Sequence, residues 1–331
     1  MFRFSKIALT ALILALCVTN LAEAKPKKSK TAKHKKTEIH HPLLGHPHSK
    51  YRGWDYLAGQ LRKAGVQERD IDAIYQSPEM PRFTFIPFKL KPKESHAIYN
   101  TFQKPSFHAL GASFLEEHRE HFDRMEKQYG VPREVVTAIL VIETQVGRHT
   151  GDSMIVYRLS RLASVLDPNN VRENYRHLHA QDPSVTMQDV VARGRYLEDT
   201  FLPEVPALIE MAKRSGLNVL DIKGSIAGAF GLPQFLPTAY VKFGVDGDGD
   251  GEISLFNKVD ALYSTGRYLS SFGWREADTH QKQRKVIWNY NKSDAYIDAI
   301  FAMSRGIRDT ASIQQVSYRP TPVNKLEEEE R

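Results

Sequence analysis

The stretch "AILVIETQVGRHTG", residues 138–151, constrains this chain more than any other, because it sets one carboxylate inside an aliphatic run. Pro132 suits a first helical turn and Gly147 a C-terminal stop, so the run reads as one helix with Glu143 in about its last turn. There the helix dipole disfavours negative charge, and burial against Ile139, Leu140 and Ile142 disfavours it again by desolvation. Both effects favour a carboxyl that keeps its proton, which is what a general acid needs. Glutamate is also a good helix former that usually sits in solvent, so this stretch taken by itself leaves both readings open.

Helical spacing of apolar residues governs the rest of the body, and the fold class expected is mostly α. "WDYLAGQLRKAG" and "VQERDIDAIYQS" read as short amphipathic helices. "RFTFIPFKLKP" alternates and holds two prolines, which suits an edge strand or an extended arm. "HAIYNTF", "GASFLEEHREHFDRMEKQYG", "YLEDTFLPEVPALIEMAKRSG", "KVDALYSTGRYLSSFGW" and "AYIDAIFAMSRGIR" read as further helices, with no repeat of 20 to 50 residues.

The two ends stand apart from this body. Residues 1–24 carry Arg3 and Lys6, then an apolar run, then "AEA", the layout of a secretory signal, and the run is too short to span a membrane. A soluble, exported, periplasmic protein is expected, in preference to a lipoprotein anchored at Cys17, because Leu16 stands where a small residue would be required. Residues 25–50 are rich in lysine and nearly free of large apolar side chains, so they read as a disordered tether able to touch an anionic membrane or wall surface. The histidines at 40, 41, 46 and 48 have no metal-binding spacing. Residues 320–331 form a charged tail, and the domain proper is placed at 51–319. The formal charge of +7 lies largely in the tether, so a nucleic-acid-binding surface is not indicated, and a monomer is expected.

Two further stretches carry chemistry. In "KGSIAGAFGLPQFLPTAY" the glycines at 224, 228 and 231 let a backbone approach a ligand, while Ser225 and Gln234 supply hydrogen-bonding groups. In "DGDGDGEISLFNKVDAL" the acids Asp246, Asp248 and Asp250, the turn at Gly251, the carbonyl of Glu252 and a short pairing strand at Ile253 follow an EF-hand-like calcium loop over 246–260. Asn257 stands where the bidentate glutamate belongs, and Asp260 is the substitute ligand.

Taken together, "YGVPREVVTAILVIETQVGRHTG", the glycine-rich segment running into the acidic loop, and "VIWNYNKSDAY" resemble the lytic murein transglycosylase B family. The resemblance covers most of residues 51–308. It implies a lysozyme-like α-rich catalytic core with a groove, Glu143 as the single acid and base, Ser225 and Gln234 at the sugar's N-acetyl group, and Tyr290, Asn291 and Tyr296 near the glutamate. It also implies structural calcium at Asp246, Asp248, Asp250, Glu252 and Asp260, and peptidoglycan glycan strands as the partner. The activity implied is cleavage between N-acetylmuramic acid and N-acetylglucosamine with a 1,6-anhydro product. A lysozyme-type muramidase or a calcium-dependent wall-binding protein are the alternatives. Between residues 161 and 198 the chain is longer than the family pattern, so Arg193 and Arg195 receive no role.

Overall fold

The computed structural model describes residues 49–92 and 96–317. The expected signal segment, nearly all of the tether and the charged tail lie outside the described residues. In chain order the helices are α1 (Asp55–Lys63), α2 (Glu68–Tyr75), a 3-10 segment (His96–Gln103), α3 (Pro105–Glu117), α4 (Arg119–Tyr129), α5 (Arg133–Thr144) and α6 (Ile155–Leu162). They continue as α7 (Pro168–Gln181), α8 (Met187–Phe201), α9 (Glu204–Arg214), α10 (Pro237–Phe243), α11 (Lys258–Ser271), α12 (His280–Tyr290) and α13 (Asp294–Ser317). The architecture is the mostly α one expected.

Helix α5 is the centre of the core. Its residues from Val135 to Ile142, and Thr144, are all buried. A helix this apolar on every side needs neighbours on every side, and α3, α4, α11 and α13 supply them. Ile139, Leu140, Val141 and Ile142 are each exposed by 3% or less, and each contributes roughly 1.5–3 kcal/mol by leaving water. Helices α3 and α13 come so close that a Cβ on Gly111 would lie 2.5 Å from Ile307 Cδ1.

Several expectations change in detail. The segment read as one helix over 111–130 is broken at His118, whose backbone leaves helical geometry at φ −117° and ψ 26°. The break turns α4 so that Phe122 and Met125 face the core beside Phe114, with the Phe114 and Phe122 rings edge to face at 5.7 Å. The segment around "FLPEVP" is likewise split at Pro203 into α8 and α9, as a proline that donates no backbone hydrogen bond favours.

The alternating segment 82–90 is an arm and not a strand. Phe83, Phe85, Ile86 and Phe88 are buried, but no neighbouring strand satisfies their backbone. Asparagine side chains from α7 do so for Ile86 and Phe88: Ile86 N–H donates to Asn170 Oδ1 at 2.8 Å, Phe88 N–H to Asn174 Oδ1 at 3.2 Å, and Asn174 Nδ2 returns a bond to the Ile86 carbonyl at 2.9 Å. Arg193 Nε, in α8, donates to the Lys89 carbonyl of the same arm at 3.1 Å. The long 161–198 region therefore builds a helical pair that carries the arm.

A two-stranded antiparallel pairing, Ser153 with Gly224 and Met154 with Lys223, joins the chain after α5 to the glycine-rich segment. Gly151 lies against it so closely that a Cβ would sit 2.3 Å from the Gly224 carbonyl oxygen. Beyond that segment, α10 is fastened to α9 by a fully buried acid: Glu204 accepts from Thr238 N–H at 2.8 Å and from the Thr238 hydroxyl at 2.6 Å.

Burial pushes the Glu204 carboxyl up to about 7, the Thr238 bonds opposing it. A raised folded-state value means that the native protein holds this proton more tightly than the unfolded chain. Its contribution to stability is therefore present below the unfolded value of 4.5 and is lost as pH rises through about 7. A shift of this size corresponds to on the order of 3 kcal/mol. Glu204→Gln should thus gain on the parent by a few kcal/mol between pH 5 and pH 8. Urea denaturation at both values measures it, and parallel pH dependence in the two proteins would show that Glu204 does not carry the effect.

Candidate active site

Glu143 is the one side chain in the second half of α5 that solvent reaches, and it is half-buried. The helix closes one residue later, at Thr144, three residues before the glycine expected to stop it. Gln145 and Val146 take left-handed backbone at φ 53° each, followed by Gly147 at 92°. Left-handed backbone at a β-branched residue is unfavourable by roughly 1–2 kcal/mol. The turn is held because Val146 N–H reaches the Leu140 carbonyl at 3.0 Å and Gln145 N–H the Val141 carbonyl at 2.9 Å, which satisfies the helix end. Pro132 caps the opposite end without entering the first turn.

The Tyr296 hydroxyl donates to Glu143 Oε1 at 2.8 Å. Tyr296 is completely buried, stacked on Tyr290 with ring planes 7° apart and centroids at 6.3 Å, and set edge to face against Tyr99 at 5.9 Å. The Tyr290 hydroxyl in turn donates to the Pro233 carbonyl, next to Gln234. Burial, followed by the nearby Glu143 charge, holds both phenols well above the usual tyrosine value, so they stay protonated and act as donors. With 1% and 0% exposure, neither ring offers an open face. They form the wall behind the glutamate.

Gln234 is buried and left-handed at φ 51°. Its side-chain amide donates to the Thr150 carbonyl at 3.1 Å and the Gly231 carbonyl at 3.0 Å, so its carboxamide oxygen is the group left to address a ligand. Ser225, half-buried on the same segment, closes a tight turn: its oxygen accepts Ala229 N–H at 3.2 Å, and its own N–H reaches the Ala229 carbonyl at 2.7 Å. The hydroxyl proton is not used by that bond. Asn291 follows α12 and is only 3% exposed, and its Oδ1 has no hydrogen-bond partner. A buried acceptor left unpaired costs about 1–3 kcal/mol, which makes it a group with much to gain from a donor.

The acidic loop brings together three of the four carboxylates expected of it. Carboxylate oxygens of Asp246, Asp248 and Asp260 lie within 4.8 Å of one another. Asp250 is turned to its own backbone, accepting Glu252 N–H at 2.8 Å, and Glu252 is exposed. Gly251, at φ 92°, makes the expected turn. Asp260 is 1% exposed and receives Gly247 N–H at 2.8 Å and Ser254 N–H at 2.7 Å. Burial raises its carboxyl above the usual range, the backbone bonds oppose, and Asp248 and Asp246 raise it further. Asn257 serves as cap of α11, accepting Val259 N–H at 2.8 Å, and its amide donates to Asp248 at 2.7 Å. Ile253 forms no strand: it is 37% exposed, and the backbone pairing falls instead at Leu255, whose carbonyl accepts Leu232 N–H at 2.8 Å. The acidic loop is thereby tied to the Gln234 segment.

Three residues that shape this site escaped the reading of the sequence: Thr144, Thr150 and Tyr99. Only Thr144 leaves a trace there, as a second polar residue interrupting the aliphatic run after Glu143.

Residues 49–285 match the transglycosylase SLT domain. Membrane-bound lytic murein transglycosylase B of Escherichia coli K12 is 31% identical over 168 residues, a stretch that spans 51% of this chain and 39% of that relative. Among solved structures, the Escherichia coli lytic transglycosylase Slt35 in complex with calcium superimposes with a TM-score of 0.58 at 19% identity, over 82% of this chain and 97% of that one. SltB3 of Pseudomonas aeruginosa in complex with NAG-anhNAM-pentapeptide superimposes with a TM-score of 0.56 at 17% identity, over 79% of this chain and 80% of that one.

Tyr290→Phe removes the donor to the buried Pro233 carbonyl and should destabilise the fold by about 1–3 kcal/mol. The urea midpoint checks this. An unchanged midpoint would mean that the bond contributes nothing to holding the Gln234 segment.

Proposed function

Since the chain belongs to the transglycosylase SLT domain family, we propose that it is a peptidoglycan lytic transglycosylase, cleaving the β-1,4 bond from N-acetylmuramic acid to N-acetylglucosamine. The observation that carries this reading is the carboxyl of Glu143, half-open to solvent at the end of an otherwise buried helix and fixed by Tyr296. Such a group can deliver a proton to a sugar oxygen in a place where water is partly excluded.

In the first step Glu143 gives its proton to the glycosidic oxygen as the bond to the muramoyl anomeric carbon breaks. In the second, the resulting carboxylate takes the proton of the muramoyl 6-hydroxyl, whose oxygen bonds to that carbon and closes the 1,6-anhydro ring. No water is consumed, and Glu143 ends in the state in which it began. The attacking hydroxyl belongs to the same sugar, which gives it the advantage of proximity over solvent. Glycosidases that pair two carboxylates need the second as nucleophile or base; here the substrate's own hydroxyl fills that role. The Gln234 oxygen and the Ser225 hydroxyl suit the acetamido group and ring hydroxyls of the sugars. The buried Tyr290 and Tyr296 act from behind as a fixed wall.

The acidic loop suits calcium. Three converging carboxylates, one of them buried, form a hard oxygen donor set. Asp246, Asp248 and Asp260 would hold the ion with help from the Glu252 carbonyl and Asp250. The ion would neutralise their mutual repulsion and order the loop beside the Gln234 segment, with no part in the chemistry. No helix among the described residues is long and apolar enough to cross a membrane. Export to the periplasm through residues 1–24 as a soluble monomer, with residues 25–50 as a basic tether, completes the reading.

Purified sacculi digested with the protein should release 1,6-anhydro ends, identified by mass spectrometry. Hydrated reducing ends would convert the assignment to a muramidase. Glu143→Gln should abolish release while sacculus binding persists, and undiminished release would remove Glu143 from the mechanism. Chelation of calcium should lower the melting temperature by several degrees, since a ligand bound only by the native state stabilises it. A melting temperature indifferent to chelator and to added calcium would exclude the ion.

A further inference from the structure

Thr144 stands directly after Glu143, and its side chain makes contacts that helix formation alone does not require. It is 1% exposed. Its hydroxyl donates to the Leu232 carbonyl at 2.9 Å, across to the segment that carries Gln234. Its oxygen also accepts Gly147 N–H at 3.0 Å, within the left-handed turn that ends α5. The Thr144 carbonyl takes His149 N–H at 3.0 Å, drawing the following loop back towards the helix.

These bonds fall on a meaningful place in the fold. The consecutive carbonyls of Leu232 and Pro233 are held by Thr144 and by Tyr290 respectively. Thr144 is covalently next to Glu143, and Tyr290 is stacked on the Tyr296 that holds Glu143 Oε1. The same two-residue step of backbone is thus gripped from both sides of the glutamate. Gln234 follows immediately, its amide fastened to Thr150 in the loop that Thr144 helps to close. The turn between them contains unfavourable left-handed backbone at Gln145 and Val146, a conformation that persists only where its surroundings hold it.

We propose that Thr144 is a positioning residue that sets the register between Glu143 and the Gln234 segment, acting through its hydroxyl and touching no substrate. This rests on the reading of Glu143 as the acid. The methyl group takes part in no hydrogen bond, whereas the hydroxyl both donates to the Leu232 carbonyl and accepts within the turn. Serine keeps those functions and valine keeps only the shape.

The test compares the full-length parent with Thr144→Val and Thr144→Ser, measuring release of anhydro products from sacculi, sacculus binding and thermal melting. A displacement of about 1 Å in a catalytic group can lower a rate by about 100-fold. Thr144→Val, assayed well below its melting temperature, should bind sacculi as the parent does and release product about 10–100-fold more slowly. Thr144→Ser should restore most of that rate. A folded Thr144→Val with the parent's rate overturns the proposal, and so does a Thr144→Ser as slow as Thr144→Val. If valine prevents folding, serine decides: a rate near the parent's supports the role of the hydroxyl, and a loss of tenfold or more overturns it. An inactive parent would overturn the functional reading and this inference with it, whereas an active parent with an indifferent Thr144 overturns the inference alone.

Discussion

The structure depends on one constraint, that α5 is apolar on all sides and must be enclosed. Enclosure by α3, α4, α11 and α13 leaves its C-terminal turn as the part of its second half that reaches solvent, and Glu143 occupies that turn. The position of the acid therefore follows from the way the core is packed. A glutamate two turns earlier would be sealed among aliphatic side chains, where an ionised carboxyl is prohibitively costly. The same constraint explains the close approach of α3 to α13 at Gly111 and Ile307, because the enclosing helices must also meet one another around a narrow central helix.

Enclosing a helix does not orient its last side chain, and polar bonds take over where packing ends. The Tyr296 hydroxyl, the Tyr290 hydroxyl and the Thr144 hydroxyl each cross from one element to another. Each is buried, so water does not compete effectively for its partner and the bond is geometrically strict. Packing thus supplies the coarse placement and a small number of buried hydroxyls supply the fine one. Strained backbone at Gln145, Val146 and Gln234 falls at the two ends of this arrangement, directly after Glu143 and Thr144 and at Gln234 itself.

Much of this was legible in the sequence, for reasons that also mark where legibility stops. The aliphatic run and its acid announce α5 because period and composition agree. The acidic loop is legible because oxygen ligands at fixed spacing leave few other readings, and Asp260 converges with Asp246 and Asp248 as expected. The arm at 82–90 was open between strand and coil because a strand and an arm bury the same alternate residues. What separates them is the source of hydrogen bonds, and Asn170 and Asn174 supply these from α7. Helix α7 itself, "PNNVRENYRHLHAQ", hides for the same reason: two of its core-facing residues are asparagines, so its inward face does not look apolar. The breaks at His118 and Pro203 belong to a third kind, where helical propensity runs through a point at which packing requires a turn.

Three of the acids that the described residues hold partly or wholly away from bulk water, Glu204, Asp260 and Glu143, take a different character from their surroundings. Glu204 is sealed, receives both of its bonds from Thr238, and binds two helices together. Asp260 is equally buried, but its donors are main-chain amides and its neighbours are two further carboxylates. Its carboxyl is thus one of three that converge in the acidic loop. Glu143 alone combines a fixed oxygen, through Tyr296, with an opening to solvent. In the proposed reaction a carboxyl that first surrenders a proton and then recovers one from the same substrate needs both properties: a sealed acid cannot reach the sugar, and an unheld one would not meet the leaving oxygen and the incoming hydroxyl in turn.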